Sequence, residues 1–209
     1  MKGMKNMFKF LNRLDKNEIM DWLLTMLEEN CQDFPEIQQT YIQAIESLKT
    51  CLGEEGVQKE TDAICQQISS VVLFSGVLGI QANYQYFSNP VSGNFLGVDP
   101  EVYLRENVAH NLPEYTAAQQ VRSQFYDSLT PAQKQLYQPI IAYTSYLETV
   151  GPKLAHYYGF LLGNEFLPQV VPGYHPNMAI TLQYCIKLES YFGKGFNFNN
   201  VLKSSFRLA

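Results

Sequence analysis

Apolar residues recur at intervals of three and four along most of this chain, and strict alternation is almost nowhere to be found, so the pattern predicts helices and no sheet. Met4, Met7, Phe8, Leu11 and Leu14 form one stripe, with Lys2, Lys5, Lys9 and Arg13 largely off it, which predicts a basic amphipathic helix over residues 1–16. Asp15 and Glu18 stand at capping-box spacing before Ile19, Trp22, Leu23, Met26 and Leu27, so a second helix should start there and end near Cys31. Asp33, Pro35 and Glu36 repeat the start signal for a third helix, which should stop at Gly53.

The fourth helix is expected over about 57–86. Its Val57, Thr61, Ile64, Ile68, Val71, Ser75, Leu78 and Ala82 follow a 4-3 repeat suited to an antiparallel partner. Gly76 and Gly79 interrupt it at a cost of about 1 kcal/mol each relative to alanine, which close backbone approach would offset. Further on, Ala155, Gly159 and Gly163 stand four apart on another helix, and the two small-residue faces are predicted to touch.

Between these helices, residues 88–99 read as a loop with Asn89-Pro90 and Ser92-Gly93-Asn94 as turn formers, and Asp99-Pro100 starts a helix that breaks before Pro113 and resumes to about Tyr126. Thr130-Pro131-Ala132-Gln133 is another capping box; Pro139 should kink the helix that follows, and Gly151-Pro152 should end it in a turn. A proline- and glycine-rich loop after Pro168 leads to a last helix ending at Gly193, and residues 194–209 form a partly ordered tail. The sum is an all-α, single-domain bundle of about seven or eight helices around a central uncharged one, spanning residues 1–209.

Composition sharpens this picture in two places. Residues 63–98 and 166–186 contain no Asp, Glu, Lys or Arg, which is improbable for a solvated face, so the helical parts should be surrounded by other helices. Charge is segregated as well: residues 1–16 hold five bases against one acid, and residues 17–62 hold eleven acids against two bases. The basic segment is therefore expected to lie across its acidic neighbour, with attachment to a membrane surface as the lesser reading. One short basic segment is not the extended basic face of a nucleic-acid binder. The longest apolar run, Ile68 to Ile80, is shorter than the roughly 20 residues that span a bilayer, and no signal peptide is legible, so a cytoplasmic protein is expected.

Residues 129–167 carry LTPAQKQLY, a tyrosine-rich helix and AHYYGFLLGNEFL. This stretch resembles the C-terminal helical pair of small uncharacterised proteins of Firmicutes bacteria and their mobile elements, through Tyr158-Gly159-Phe160 and Gly163. The resemblance implies a helical hairpin and a bacterial source, and carries no activity.

Candidate chemistry is sparse. Cys31, Cys51, Cys65 and Cys185 have no paired spacing and read as reduced thiols. Glu106 and His110 share a helix face without a second matching pair, so neither a metal nor a cofactor is expected. Asn83, Gln81, His156, Asn164 and Glu165 fall near the core by periodicity and should bond to one another, to loop backbone or to water, and Tyr84, Tyr86, Tyr157 and Tyr158 nearby could line a pocket between helices. Three functions follow. The first is a non-enzymatic interaction protein with a protein partner, in a bacterial or mobile-element regulatory system. The second is a small-molecule sensor with a tyrosine-lined pocket among Asn83, Tyr84, Tyr86, His156, Tyr157, Tyr158 and Asn164. The third is an enzyme using Glu165 and His156 as acid and base, which requires those two side chains to converge in a cleft.

Overall fold

A computed structural model describes residues 15–88 and 112–176, together with Ala179, residues 181–183 and Ile186. The expected N-terminal helix, the loop and helix between 89 and 111 with Glu106 and His110, Cys185, most of the last helix and the tail lie outside the described residues. The described chain is all helical, in six helices: α1 Lys16–Asn30, α2 Phe34–Leu52, α3 Glu54–Ser88, α4 Pro113–Ser128, α5 Pro131–Leu136 and α6 Gln138–Val170.

Local signals explain most of the boundaries. Asp15 accepts from the Asn17 amide while Glu18 reaches back to the Asp15 amide, so the capping box that opens α1 is formed. Thr130 and Gln133 close the second box at α5. Gly53, at φ 81°, ends α2 in a conformation that L side chains rarely adopt, and α3 begins one residue later. Asp33 departs from its expected role: it caps nothing, and its carboxylate accepts a hydrogen bond of 3.0 Å from the Tyr146 hydroxyl of α6. A tertiary partner has taken the side chain that sequence spacing assigned to the helix end.

α3 and α6 are the long elements, and they share the largest interface in the molecule. Pairings along it rise together, from Glu60 with Tyr137, through Gln67 with Glu148 and Ser75 with Pro152, to Asn83 with Asn164. The two helices are therefore parallel. The antiparallel partner that the 4-3 repeat anticipates is α4, whose Arg122 meets Glu60 while its earlier Tyr115 meets Glu148. α1 crosses the α3·α6 pair, with Asn17 beside Cys65 of α3 and Leu23 against Gly151 of α6. Leu23, Leu27, Phe34, Leu48, Ile68, Ile140, Leu147 and Leu154 are completely buried where α1, α2, α3 and α6 meet.

The α3·α6 contact is made by backbone. A methyl group built on Gly159 would sit 2.7 Å from the carbonyl carbon of Gly76, and one on Gly79 would sit 2.7 Å from the Phe160 nitrogen. No side chain fits at either position, so the predicted meeting of the two glycine faces is observed, and these glycines offset their helix cost by allowing the approach.

Two expectations about α6 are overturned. The break comes at Tyr137, one residue before α6 begins, and Pro139 occupies its first turn, where a missing N–H costs nothing. Gly151-Pro152 makes no turn: both residues are buried inside one continuous helix, so the hairpin implied for 129–167 is absent. An interior proline costs about 3 kcal/mol, yet Gly151 packs on Leu23 and Val72, and Ser75 donates to the Pro152 carbonyl. A turn there would separate those contacts. α3 is also long and apolar enough, over Glu54–Gln85, to cross a bilayer by length and composition, although 61% of its most apolar stretch is buried against the rest of the protein.

Gly76 differs from its neighbours, because a methyl group there would meet only the Ala155 carbonyl oxygen at 3.6 Å, an ordinary contact. Gly76→Ala is expected to hold or raise stability, by up to about 1 kcal/mol from helix propensity. Gly159→Ala and Gly79→Ala are expected to lower it by about 1–3 kcal/mol or more through overpacking. Urea unfolding midpoints of the three variants measure the contrast, and equal losses at all three positions would contradict a backbone-to-backbone contact.

Candidate functional site

Polar side chains inside the helices gather at two places. At the N-terminal end of α3, Glu60 is completely buried, and its Oε1 accepts from Arg122 Nε of α4 at 3.0 Å and from the Tyr137 hydroxyl. Arg122 also donates to Gln67 Oε1 at 2.8 Å and to Thr144 Oγ1 at 3.3 Å. Gln67 in turn donates to Glu148, which also accepts from the Tyr115 hydroxyl. One guanidinium thus ties α3, α4 and α6 together with three donors in a fixed fork.

Burial pushes the Glu60 carboxyl above the usual carboxylate range, and the Tyr137 hydroxyl and the Arg122 charge pull it part of the way back. Burial works against the Arg122 cation too, but Tyr137 and Glu60 more than offset it and the guanidinium stays charged. Tyr137 is raised by burial and by donating to Glu60. Glu60 Oε2 is buried without a hydrogen-bond partner. The arrangement clamps three helices, with Glu60 completely buried and Glu148 and Tyr115 half-buried at its outer end.

At the other end, Asn83 of α3 donates to the Phe160 carbonyl at 2.6 Å and to Asn164 Oδ1 at 2.9 Å, and its own oxygen accepts from the Tyr174 hydroxyl. Asn164 donates onward to Thr181 at 3.0 Å. Burial pushes the Tyr174 hydroxyl up to about 12. Asn83 and Asn164, expected near each other, are together in this clamp, and it closes over Gly163 with Asn83 Cβ 2.9 Å from where a methyl group would lie.

The remaining candidates scatter. Tyr84 is half-buried against a small cluster around Val77, Ile80, Leu167 and Tyr174. Tyr86 belongs to α3, and its side chain lies outside the described residues. His156 is buried, with the half-buried Tyr157 ring edge-on at 6.0 Å. Glu165 follows His156 by nine residues on the same uninterrupted helix, which is two and a half turns, or about 13.5 Å along the axis. The two side chains leave α6 on opposite faces and do not converge.

Tyr158 meets an opening. Its ring is edge-on to Trp22 at 5.1 Å, and both line an apolar pocket of about 90 Å³ between α1, α3 and α6. Ile19 and Trp22 form the α1 wall, Val72, Leu73 and Ile80 the α3 wall, and Ala155 and Leu162 the α6 wall. The floor is Gly76 and Gly159, and Glu18 is the one charged residue at its edge. The Trp22 indole N–H is buried with no hydrogen-bond partner. Among the described residues, no three His, Cys, Asp or Glu side chains group as a metal would require.

Sequence reasoning missed both the Glu60–Arg122 clamp and the Trp22 wall. Glu60 carries a signal in retrospect, since it falls three residues after Val57 and four before Ile64, within the apolar face of α3. Arg122 is the sole basic residue of α4, and nothing in its own helix marks it as the partner of a buried carboxylate.

Two predictions follow from the clamp and the buried tyrosines. Arg122→Ala strands a buried carboxylate and should cost about 3–5 kcal/mol in urea unfolding, whereas Glu60→Leu combined with Arg122→Met should cost much less than the sum of the single changes. Separately, burial raises Tyr41, stacked on Tyr143 at 4.0 Å, and Tyr174 up to about 12. An unfolded tyrosine titrates near about 10. The folded hydroxyls resist ionisation, so their contribution is fully present below about pH 10 and is lost as pH climbs toward 12. Stability should fall over that window, and tyrosinate absorbance should show a late class that appears only with unfolding.

Comparison of the chain with protein-family models, curated proteins and solved structures finds no match.

Proposed function

We propose that this chain is a non-enzymatic helical binding protein that receives an apolar side chain of a protein partner in the pocket between α1, α3 and α6. The observation that carries the reading is the pocket's lining: apolar walls, a glycine floor and a single carboxylate at the edge. Such a surface recognises shape and hydrophobicity, and its single carboxylate has no histidine, cysteine, lysine, arginine or second carboxylate in the lining to work with. Its 90 Å³ is smaller than the roughly 150 Å³ of an engineered cavity that holds benzene, so an open pocket of this size suits one ring or branched alkyl group. The aromatic walls of Trp22 and Tyr158 equally favour the second reading, a small apolar molecule sensed at the same place.

The wider setting of the proposal is a cytoplasmic bacterial or mobile-element protein, supported by the free thiols of Cys31, Cys51 and Cys65 and by the resemblance of residues 129–167. We infer one domain of about seven or eight helices over residues 1–209, the six described among them.

The chain has one tryptophan, so Trp22 gives a single indole N–H resonance that reports on the pocket. Toluene, as a stand-in for a phenylalanine side chain, should shift that resonance saturably. Gly76→Val, which places a branched side chain on the floor, should abolish the shift while the protein still unfolds cooperatively. A Trp22 signal indifferent to toluene at saturation would reject the pocket as a recognition site.

A further inference from the structure

The charge in the lining of the pocket is of one sign, and it lies at the mouth. Glu18 is the one charged residue there, and a hydrogen bond of 3.1 Å from the Asp15 amide holds its carboxylate in place. Asp15 and Asp21 stand one turn to either side of it, and all three side chains are exposed. Lys16 is the one base among residues 15–30, against Asp15, Glu18, Asp21, Glu28 and Glu29. It precedes Glu18 by two positions, which turns it about 200° round the helix to the other side of α1. The α3 and α6 walls contribute no charge at all. Trp22 follows Glu18 by four positions on the same face of α1, so a cation placed against that carboxylate also has an aromatic ring beside it.

We propose that the partner segment received by the pocket carries a lysine or arginine beside its apolar anchor, so that the anchor enters against Trp22 and Tyr158 while the cation stays in water against Glu18. This rests on the reading of the pocket as a site for an apolar side chain of a protein partner, and it adds the charge of that partner. Affinity comes from the anchor, whose burial removes apolar surface from water. An exposed ion pair adds only up to about fivefold, so the carboxylate acts chiefly by rejecting acidic segments and by speeding the approach of basic ones.

The test uses the full chain and reads the Trp22 indole resonance during titration with toluene, with benzylamine and with two capped tripeptides, one Lys-Phe-Lys and one Glu-Phe-Glu. The basic peptide is expected to bind about tenfold tighter than the acidic one, and about 0.5 M salt should bring the two within about twofold of each other. Glu18→Gln, whose amide can still close the capping box, should lower the ratio of the two dissociation constants about threefold. The ratio is the readout because a general change in pocket shape moves both peptides together. A ratio near one in the parent overturns the proposal, and toluene that still shifts Trp22 then leaves the pocket reading intact. A tenfold ratio that persists in Glu18→Gln also overturns it, by placing the discriminating charge elsewhere. So does benzylamine binding as tightly as the basic peptide, which would give the site to a small amine, and so does a Trp22 shift produced by concentrating the protein alone with a doubled mass in light scattering, which would give it to a second copy. If neither toluene nor any other probe shifts Trp22, the pocket reading falls and takes the proposal with it.

Discussion

The approach of α3 and α6 backbone to backbone is the constraint from which the rest of the structure follows. With Gly79 against Phe160 and Gly159 against Gly76, there is no room for a Cβ on Gly79 or Gly159 at the crossing. Short polar side chains can then span the interface to main-chain oxygens: Ser75 reaches the Pro152 carbonyl at 2.5 Å and Asn83 reaches that of Phe160 at 2.6 Å. An extra methylene of separation would leave these buried groups unpaired, at about 1–3 kcal/mol each. The same demand accounts for Pro152 inside α6. Thirty-three residues in one helix keep the Gly151 and Ser75 contacts together, and a turn at Gly151 would separate them.

That constraint also makes the pocket. Where α1 lies over the pair, Leu23 fills the groove against Gly151 and Val72. Beyond Trp22, the floor is Gly76 and Gly159, which bring no side chains to fill the space above them. A groove smooth enough for two helices to touch is shallowly lined wherever a third helix does not cover it. The opening is therefore a by-product of the closest packing in the molecule, placed at the one point where the covering helix begins.

Much of this was legible in the sequence because the relevant signals are local. The capping boxes at Asp15 and Thr130, the stop at Gly53 and the glycine spacing on α3 and α6 depend on residues within a turn or two of each other, and the structure contains them all. What the sequence concealed depends on partners far apart in the chain. Periodicity gives the faces of α3 without giving direction, so a parallel α6 and an antiparallel α4 were indistinguishable. Glu60 and Arg122 are 62 positions apart and each is an ordinary helix residue alone. Asp33 has the sequence of a cap and the position of an acceptor for Tyr146. For the candidate site, proximity in sequence grouped Tyr157 with Tyr158, yet adjacent helix positions diverge by 100°, and only Tyr158 faces the pocket.

The distribution of polar valence bears on function more directly than any motif. Arg122 spends its donors on Glu60, Gln67 and Thr144, and Asn83 spends its amide on Phe160, Asn164 and Tyr174. Both clamps sit where long helices would otherwise slide along each other, and each fixes a register that apolar packing alone leaves loose. Catalysis needs the opposite condition, a charged or titratable group held near a surface with capacity to spare. In these two clusters most of the polar capacity goes to holding α3, α4 and α6 in place, although Glu60 Oε2 is left without a partner. The pocket between α1, α3 and α6 is bounded by Trp22, Tyr158 and bare glycine, and burial of an apolar group on such a surface is favoured by the release of water from apolar contact.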